Sequence, residues 1–171
     1  KAIRRQRQMC IRDRAYAFQA VDRDASRAEH GGDRYRRMEI EYICSHTIAT
    51  QSDAGQQLWM MMGDFNSRSR LDNRVYNYPD DDTRLLVHDY IAEHTPYVDV
   101  IAEKHPGEFH TTTHGQSRID FVYCTQPLCE RITRAEVIAD DFTEPVRDPG
   151  KLSNFYHPSD HRPILVDFDM K

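Results

Sequence analysis

The sequence predicts an α/β (α+β) domain in which a mixed β-sheet is flanked by helices. Short apolar runs of strand length, such as LWMMM at 58–62 and PILVDF at 163–168, alternate with segments whose apolar residues recur at helical spacing. Two further strand-like runs, at 109–113 and 119–124, are separated by a turn-rich stretch containing HGQS, which is the pattern of a hairpin. Because some strands follow a helix and others follow a strand, a mixed sheet is expected.

Length and composition predict one folded domain with a polar extension. With 171 residues, 39% of them hydrophobic, the chain is long enough for one core and too short for two ordinary domains. Residues 1–33 are rich in Arg and Asp and show neither strand alternation nor a sustained helical stripe. We expect 1–33 to be a poorly ordered N-terminal segment, with Gly31 and Gly32 at its end, and 34–171 to form the domain.

The first helix is predicted directly after this boundary. Asp33 can cap a helix that runs through 35–50, YRRMEIEYICSHTIAT. Apolar side chains recur there at three-to-four spacing, so the helix is expected to lie on a sheet. Two overlapping faces have this spacing: one holds Tyr35, Met38, Tyr42 and Ile43, and the other holds Ile40, Ile43 and Thr47.

A short strand is predicted at 58–62. Its continuous apolar run, closed by Gly63, is typical of a strand that is buried on both faces. Asp64 then emerges at the C-terminal end of this strand, where a carboxylate is held by regular structure and still reaches a loop.

Helices and strands alternate in the second half of the chain. An amphipathic helix is predicted at 85–94, and Thr95-Pro96 predicts a further short helix that continues to Lys104, with Thr as the cap and Pro at the first helical position. The remaining strands are predicted at 109–113, 119–124, 132–139 and 164–168.

The charge balance disfavours one class of function. A formal net charge of −5 does not suit a protein that holds nucleic acid tightly by neutralising its phosphates. No apolar stretch approaches the ~20 residues that span a bilayer, and no signal peptide is visible. The sequence begins with Lys, so a targeting signal could lie upstream, and we predict no compartment.

Three segments place acids or histidine at strand ends. They are GDFN at 63–66, SRIDF at 117–121 and SDHRP at 159–163, each next to a predicted strand. Hydrolysis of a phosphate ester needs a water nucleophile and positive charge or hydrogen-bond donors for the phosphoryl oxygens. The carboxylate, amide and imidazole side chains of the three segments can activate the water and supply the positive charge and the donors.

Each polar side chain of the three segments suits one step of that chemistry. Asp64 can orient or deprotonate the attacking water, and Asn66 can donate its amide to a phosphate oxygen. His161, as an imidazolium, can stabilise the transition state while Asp120 fixes its tautomer and raises its pKa. Asp160 is a hard oxygen ligand suited to Mg²⁺.

The three segments resemble the second half of the endonuclease/exonuclease/phosphatase superfamily, over residues 34–170. The resemblance implies half of a four-layer α/β sandwich of the deoxyribonuclease type and a Mg²⁺- or Mn²⁺-dependent phosphoesterase. It implies that Asp64 orients water, that Asn66 binds phosphate, that Asp120 and His161 form an acid-His pair, and that Asp160, with Asp64, contributes to the metal site.

The same resemblance implies that part of the domain is missing. Members of the superfamily also use an Asn, a metal-binding Glu and a His from the first half of the domain, and nothing in 1–33 matches them. We therefore expect a parent enzyme with a further N-terminal half, an exposed apolar face on the sheet, and weak metal binding by this part alone. The expected substrate is a phosphoester: a small molecule, a lipid head group or a nucleic acid.

Three alternatives stay open at this point. The chain could be a noncatalytic remnant or binding module with the same fold. It could be an unrelated zinc hydrolase built from His110, His114, His157 and His161. Arg118 could bind the phosphate of a substrate or pair with nearby acids, as could Arg162.

Overall fold

Two small β-sheets and several short helices make up the described part of the chain. The computed structural model describes residues 32–139 and 159–169, so the predicted N-terminal segment, up to Gly31, lies outside it. The elements in chain order are α1 (Asp33–Ser45), β1 (Met60–Asp64), α2 (Asn73–Tyr76), α3 (Leu86–His94), β2 (Tyr97–Asp99), α4 (Val100–Lys104), β3 (Asp120–Thr125), α5 (Gln126–Cys129), β4 (Ile132–Val137) and β5 (Ile164–Phe168). Single 3₁₀ turns lie at Ile48–Thr50, Ala54–Gln56, Arg70–Asp72 and Thr83–Leu85.

Strand β3 is the centre of the first sheet. It pairs antiparallel with β1 along five register pairs, from Met60↔Cys124 to Asp64↔Asp120, and antiparallel with β2 on its other side. The second sheet is the antiparallel pair of β4 and β5, with a register irregularity between Ile132 and Arg134. The described chain thus has an α+β fold as predicted, but its strands pair antiparallel, and a mixed sheet is not seen among them.

Helices α1 and α3 cover one face of the first sheet. Ile40 and Ile43 of α1 and Ile91 of α3 pack with Phe65 and Phe121 in one buried cluster. The side of α1 that carries Ile40 is therefore the buried one, while the alternative face exposes its large side chains. These exposed side chains are Tyr35, Met38 and Tyr42.

The opposite face of the first sheet meets the second sheet and two short helices. Val122 and Cys124 of β3 pack there against Val100, Leu128 and Ile132. Apolar residues of β1, β2, β4 and β5 border this cluster and are only partly buried: Met60, Met62, Val98, Val137, Ile164, Val166 and Phe168. Part of the apolar surface predicted for the sheet is thus accessible in the described chain.

The first helix is shorter than predicted. It ends at Ser45, where the His46 amide donates to the carbonyls of Tyr42 and Ile43, and not at residue 50. Asp33 is its first residue and not its cap, because the Asp33 carboxylate instead accepts hydrogen bonds from the side chains of Arg36 and Thr83.

The prediction of a helix starting at Thr95-Pro96 is wrong. Tyr97–Asp99 form strand β2, because these residues pair with the free side of β3 and bury Tyr97. The helix begins only at Val100, where the Asp99 side chain accepts a hydrogen bond from the Ala102 amide. Thr95 and Pro96 favour a helix start, but pairing with β3, which begins at the next residue, makes this segment a strand instead.

The predicted hairpin is only half present. Asp120–Thr125 is a strand, whereas 109–113 form no strand with it; the Thr112 and Thr113 amides instead donate to the Ser117 carbonyl and close a tight loop. The prediction at 58–62 lies two residues too early, since β1 starts at Met60 and Leu58 is exposed. The strand expected at 164–168 is confirmed, and the one expected at 132–139 is present but ends at Val137.

No described helix has the length and apolar content that crossing a bilayer requires, the longest being α1 with 13 residues.

Candidate active site

Asp64 and Asp120 stand side by side at one end of the first sheet. They are register partners across β1 and β3, so strand pairing alone brings together two carboxylates that lie 56 residues apart in the chain. Both side chains lie on the face of the sheet that carries Met62 and Val122, because side chains at every second position share a face.

A tight turn after β1 holds the Asp64 carboxylate. The Asn66 amide donates to Asp64 Oδ1 at 2.8 Å, and the Asn66 side-chain Nδ2 donates to Asp64 Oδ2 at 3.0 Å. Asn66 adopts a left-handed conformation with φ 47°, which Asn tolerates better than most residues. Between them, Phe65 is buried against Phe121, which fixes the turn to the core.

Asp120 and His161 form a hydrogen-bonded acid-His pair. His161 Nδ1 lies 2.8 Å from Asp120 Oδ2, and both side chains are partly buried. This contact joins the start of β3 to the segment before β5. The sequence prediction that these two residues pair is in agreement with this geometry.

Thr112 hydrogen-bonds the backbone at Asp120. Its hydroxyl oxygen accepts hydrogen bonds from the amides of Ile119 (3.0 Å) and Asp120 (3.1 Å), and its proximity offsets part of the rise that burial causes in the pKa of the Asp120 carboxyl. The Thr112 side chain is fully buried. One hydroxyl therefore positions the backbone at the start of β3, from which the Asp120 carboxylate projects.

The SDHRP segment is held in place by backbone contacts to the loop at 111–114. His161 forms a β-bridge with Thr113, and the Arg162 amide donates to the Thr112 carbonyl at 2.8 Å. The His114 amide donates to the Asp160 carbonyl at 3.1 Å. The loop at 111–114 thus organises both members of the acid-His pair.

Burial and neighbouring charges shift the pKa values of this site. Burial lowers the pKa of His161, but the negative charges of Asp120, Asp64 and Asp160 and the hydrogen bond that the ring donates to Asp120 outweigh it, so the net shift is upward. Burial raises the pKa of Asp64 and of Asp120, and hydrogen bonds and the His161 charge offset part of that rise. The site is therefore arranged to hold a protonated imidazole beside carboxylates of increased basicity.

Asp160 is the most accessible acid of the group. Its side chain is 83% exposed, and Oδ1 lies 4.0 Å from His161 Nε2. The ring of His161 therefore has Asp120 on one nitrogen and Asp160 near the other. A groove of about 340 Å³ lies beside the pair of Asp120 and His161. Both residues line it, together with Ser159 and the apolar residues Met62 and Ile164 among others.

Arg118 does not face this group. Its side chain is 2% exposed, and its guanidinium donates to the carboxylates of Asp72 and Asp99 inside the core. Of the two roles that the sequence leaves open for Arg118, the structure supports pairing with acids and not contact with a substrate. Arg162, in contrast, lines the groove beside Asp120 and His161, and its guanidinium donates to the Thr111 carbonyl at 3.2 Å and to the Thr111 hydroxyl.

Among the described residues, the histidines proposed for a zinc hydrolase do not form one metal-binding group. His161 pairs with Asp120, and His110 lies beside His105 and Glu108 instead. His157 lies outside the described residues. Sequence reasoning also missed Thr112, because a threonine in the run TTT at 111–113 carries no pattern that marks its hydroxyl as structural.

Comparisons with known proteins agree with the fold. No protein-family model and no curated protein matches the chain. A solved structure, an AP endonuclease from Archaeoglobus fulgidus, matches with a TM-score of 0.57 and 22% sequence identity. The match covers 82% of this chain and 56% of the endonuclease chain, so this chain spans little more than half of that relative's length.

This likeness supports the fold and no more, given its sequence identity. The neighbour has an endonuclease/exonuclease/phosphatase-type fold, which agrees with the fold that the three segments imply. Completion of a four-layer sandwich and membership of the superfamily stay predictions.

Proposed function

We propose that this chain is part of a metal-dependent phosphoesterase, which hydrolyses a phosphodiester or phosphomonoester with an activated water. The observation that carries the proposal is the acid-His pair of Asp120 and His161, which lies next to Asp64 at one end of the sheet. Three segments that are distant in the sequence supply these side chains. The nuclease-like fold of a solved neighbour supports the same reaction class.

In this proposal His161 stabilises negative charge on the phosphoryl group. Its Nδ1 is engaged by Asp120, which leaves Nε2 as the atom that can donate to a phosphoryl oxygen. Its raised pKa favours the imidazolium, the form that stabilises the added charge of the transition state. Asp120 serves to orient the ring and maintain its charge, and does not react itself.

Asp64 and Asn66 act on the water and the phosphate. Burial raises the pKa of Asp64, so its carboxylate is a stronger base than an exposed aspartate and better suited to accept a proton from water. The side-chain amide of Asn66 carries two N–H donors, and the contact with Asp64 uses one. The second suits a phosphate oxygen.

The residues fit a Mg²⁺-type ion with few protein ligands. Mg²⁺ keeps several waters and is held by one or two carboxylates together with substrate phosphate, a requirement that Asp160 and Asp64 can meet. Asp160 is 83% exposed and therefore accessible to an ion. When bound, such an ion would supply positive charge to the phosphoryl oxygens.

The substrate class is narrower than phosphoesters in general. A net charge of −5 argues against tight binding to duplex nucleic acid through the backbone alone. The neighbour of similar fold is an endonuclease, which points to a nucleic-acid phosphodiester. We favour a phosphodiester recognised at a local site, with small phosphoesters as the competing class.

The test is a metal-dependence assay with the full-length parent enzyme that contains this chain. Hydrolysis of bis(p-nitrophenyl) phosphate and of abasic-site duplex DNA is measured with Mg²⁺ or Mn²⁺ and with excess chelator. We expect metal-dependent turnover that falls by about 10²–10⁴ in His161→Gln and Asp64→Asn. The control His94→Gln changes an exposed histidine of α3 and should keep full activity. Full activity of both site variants would refute the assignment.

A noncatalytic module is the second candidate. The chain spans 56% of the matched endonuclease, and the described residues bring no third His, Cys, Asp or Glu together with Asp64 and Asp120 as a metal-binding group. On this alternative the chain would bind inorganic phosphate and the abasic-site DNA without hydrolysing the DNA, and His161→Gln would weaken that binding.

A further inference from the structure

Three potential metal ligands meet on the connection between α4 and β3. They are His105, Glu108 and His110, and their ligand atoms all lie within 4.8 Å of one another. In the described part of the chain this is the group of three or more such side chains that is close enough to share an ion. It is separate from Asp64, Asp120 and His161.

The local sequence builds this cluster with a tight turn. Pro106 and Gly107 occupy the middle of the turn, Gly107 has φ 81°, and the Glu108 amide donates to the His105 carbonyl at 3.1 Å. The turn brings the first and fourth residues together. The next residue, Phe109, packs edge-on against Tyr76, while the His110 Nε2 lies 3.2 Å from the Glu108 carboxylate.

The hydrogen bond of His105 prepares its other nitrogen for a metal. His105 Nε2 lies 2.7 Å from the Ala135 carbonyl oxygen. A carbonyl only accepts, so Nε2 carries the proton, and in the neutral ring the lone pair is on Nδ1. Metal-bound histidines usually have this arrangement, in which one nitrogen donates to a backbone carbonyl and the other coordinates the ion.

The environment of the His110 ring also indicates that His110 binds a metal ion. Its Nε2 is buried from solvent and has no hydrogen bond of good geometry among the described residues, although the Glu108 carboxylate is near. The ring centres of His105 and His110 are 4.8 Å apart. Two imidazoles bound at ~2.0–2.1 Å to one tetrahedral ion have ring centres about 5 Å apart, so little movement would be needed.

We propose that His105, Glu108 and His110 bind one divalent transition-metal ion of the Zn²⁺ class. Two imidazoles and a carboxylate suit Zn²⁺ and related ions, whereas Mg²⁺ and Ca²⁺ prefer oxygen ligands alone. Three protein ligands leave a fourth position for water. Because His105 is bonded to Ala135, the ion would tie the loop at 105–110 to β4, just ahead of the loop that carries Thr112.

The test is zinc binding by the intact, metal-stripped chain. Zn²⁺ is titrated in competition with a chromophoric chelator, and Co²⁺ is used as a probe whose visible absorption is intense in four-coordinate sites. We expect one ion per chain and a rise in melting temperature when Zn²⁺ is added. Glu108→Gln and His110→Gln should each weaken binding at least about tenfold, since even loss of an outer-shell partner costs that much.

Two controls separate this site from other histidines. His94→Gln removes an imidazole that also has a glutamate neighbour, Glu93 at 4.0 Å, and should bind Zn²⁺ like the parent chain. His161→Gln should do the same, whatever its effect on hydrolysis. His105 is not the first choice for substitution because its bond to Ala135 also serves the fold.

The proposal fails on any of three results. One is the lack of stoichiometric Zn²⁺ binding by a chain whose circular dichroism and melting curve show that it is folded. Another is parental affinity in the folded His110→Gln variant. Loss of binding in His161→Gln alone would move the ion to the candidate active site and would also overturn the proposal.

Discussion

The Nδ1 atom of His161 lies 2.8 Å from Oδ2 of Asp120, although 41 residues separate the two in the chain. Because Nδ1 is held by this carboxylate, the orientation and the charge of the ring are set together. Any change at Asp120 should therefore be detected in the titration of His161.

The pKa of His161 should depend on Asp120. Asp120→Asn removes the largest influence that raises the pKa of His161, so the pKa should fall, because burial continues to lower it. In the parent chain the imidazolium should persist above the ordinary pH 6.5. NMR titration of the His161 ring measures both values. An unchanged pKa in Asp120→Asn would show that the contact is not formed in solution.

Thr112 should matter more than its position in a loop suggests. Thr112→Val leaves the buried amides of Ile119 and Asp120 without their acceptor, which costs about 1–3 kcal/mol of unfolding free energy for each unsatisfied group. Hydrolysis should also decrease, because Asp120 loses a hydrogen bond. Thr112→Ser keeps the hydroxyl and is the matched control. Urea denaturation of both variants tests this, and equal stabilities would contradict it.

Arg118 should act on stability before it acts on catalysis. Arg118→Met leaves the carboxylates of Asp72 and Asp99 buried without their cation, which we expect to cost about 3–5 kcal/mol. Replacing both acids as well, in Arg118→Met/Asp72→Asn/Asp99→Asn, should recover much of that loss. Denaturant midpoints decide the matter. A triple variant no more stable than the single one would argue against buried charge as the cause.

His88 should destabilise the fold in mild acid. Burial, with the charge of Arg118, lowers its pKa to about 3, so the stability that the neutral ring contributes is complete above pH 6.5 and is lost as the pH falls from 6.5 toward 3. Between pH 6.5 and 5.0 the loss should approach about 2 kcal/mol.

The effect of His88 is measured as the difference in pH-dependent stability between the parent chain and His88→Gln. His161 has a raised pKa, and its contribution changes in the opposite sense, being complete below pH 6.5 and lost as the pH rises through its folded pKa. Comparing the parent with His88→Gln across the same pH range removes this common contribution. A parent chain whose stability declines no faster than that of His88→Gln would sink the prediction.

The sequence predicted elements well where one pattern dominated. Strand β5, whose apolar and polar residues partly alternate, and helix α3, whose apolar residues recur at helical spacing, are confirmed. It failed at Tyr97–Asp99, where Thr95 and Pro96 imitate a helix start but β3 offers hydrogen bonds to a strand. Information about such long-range pairing is not present in the local sequence.

The candidate site was easier to predict than its supports. Asp64, Asn66, Asp120 and His161 were named from three short segments, and the structure brings them to one end of the sheet. The same reasoning left open whether Arg118 binds substrate. The local sequence around an arginine in such a segment is the same whether its side chain points toward solvent or into the core. Its partners Asp72 and Asp99 lie 46 and 19 residues away and follow no pattern.

The pairing of β1 with β3 also limits changes in the length of β1. Moving β1 by one residue along β3 would bring Gly63 or Phe65 opposite Asp120 and turn Asp64 toward the helix-covered face. A single-residue insertion within Met60–Asp64 would thus dismantle the site while every named side chain remained in the sequence. Insertions in the loop beyond Asn66 would leave the two carboxylates paired, so length variation should be tolerated there and not in the strand.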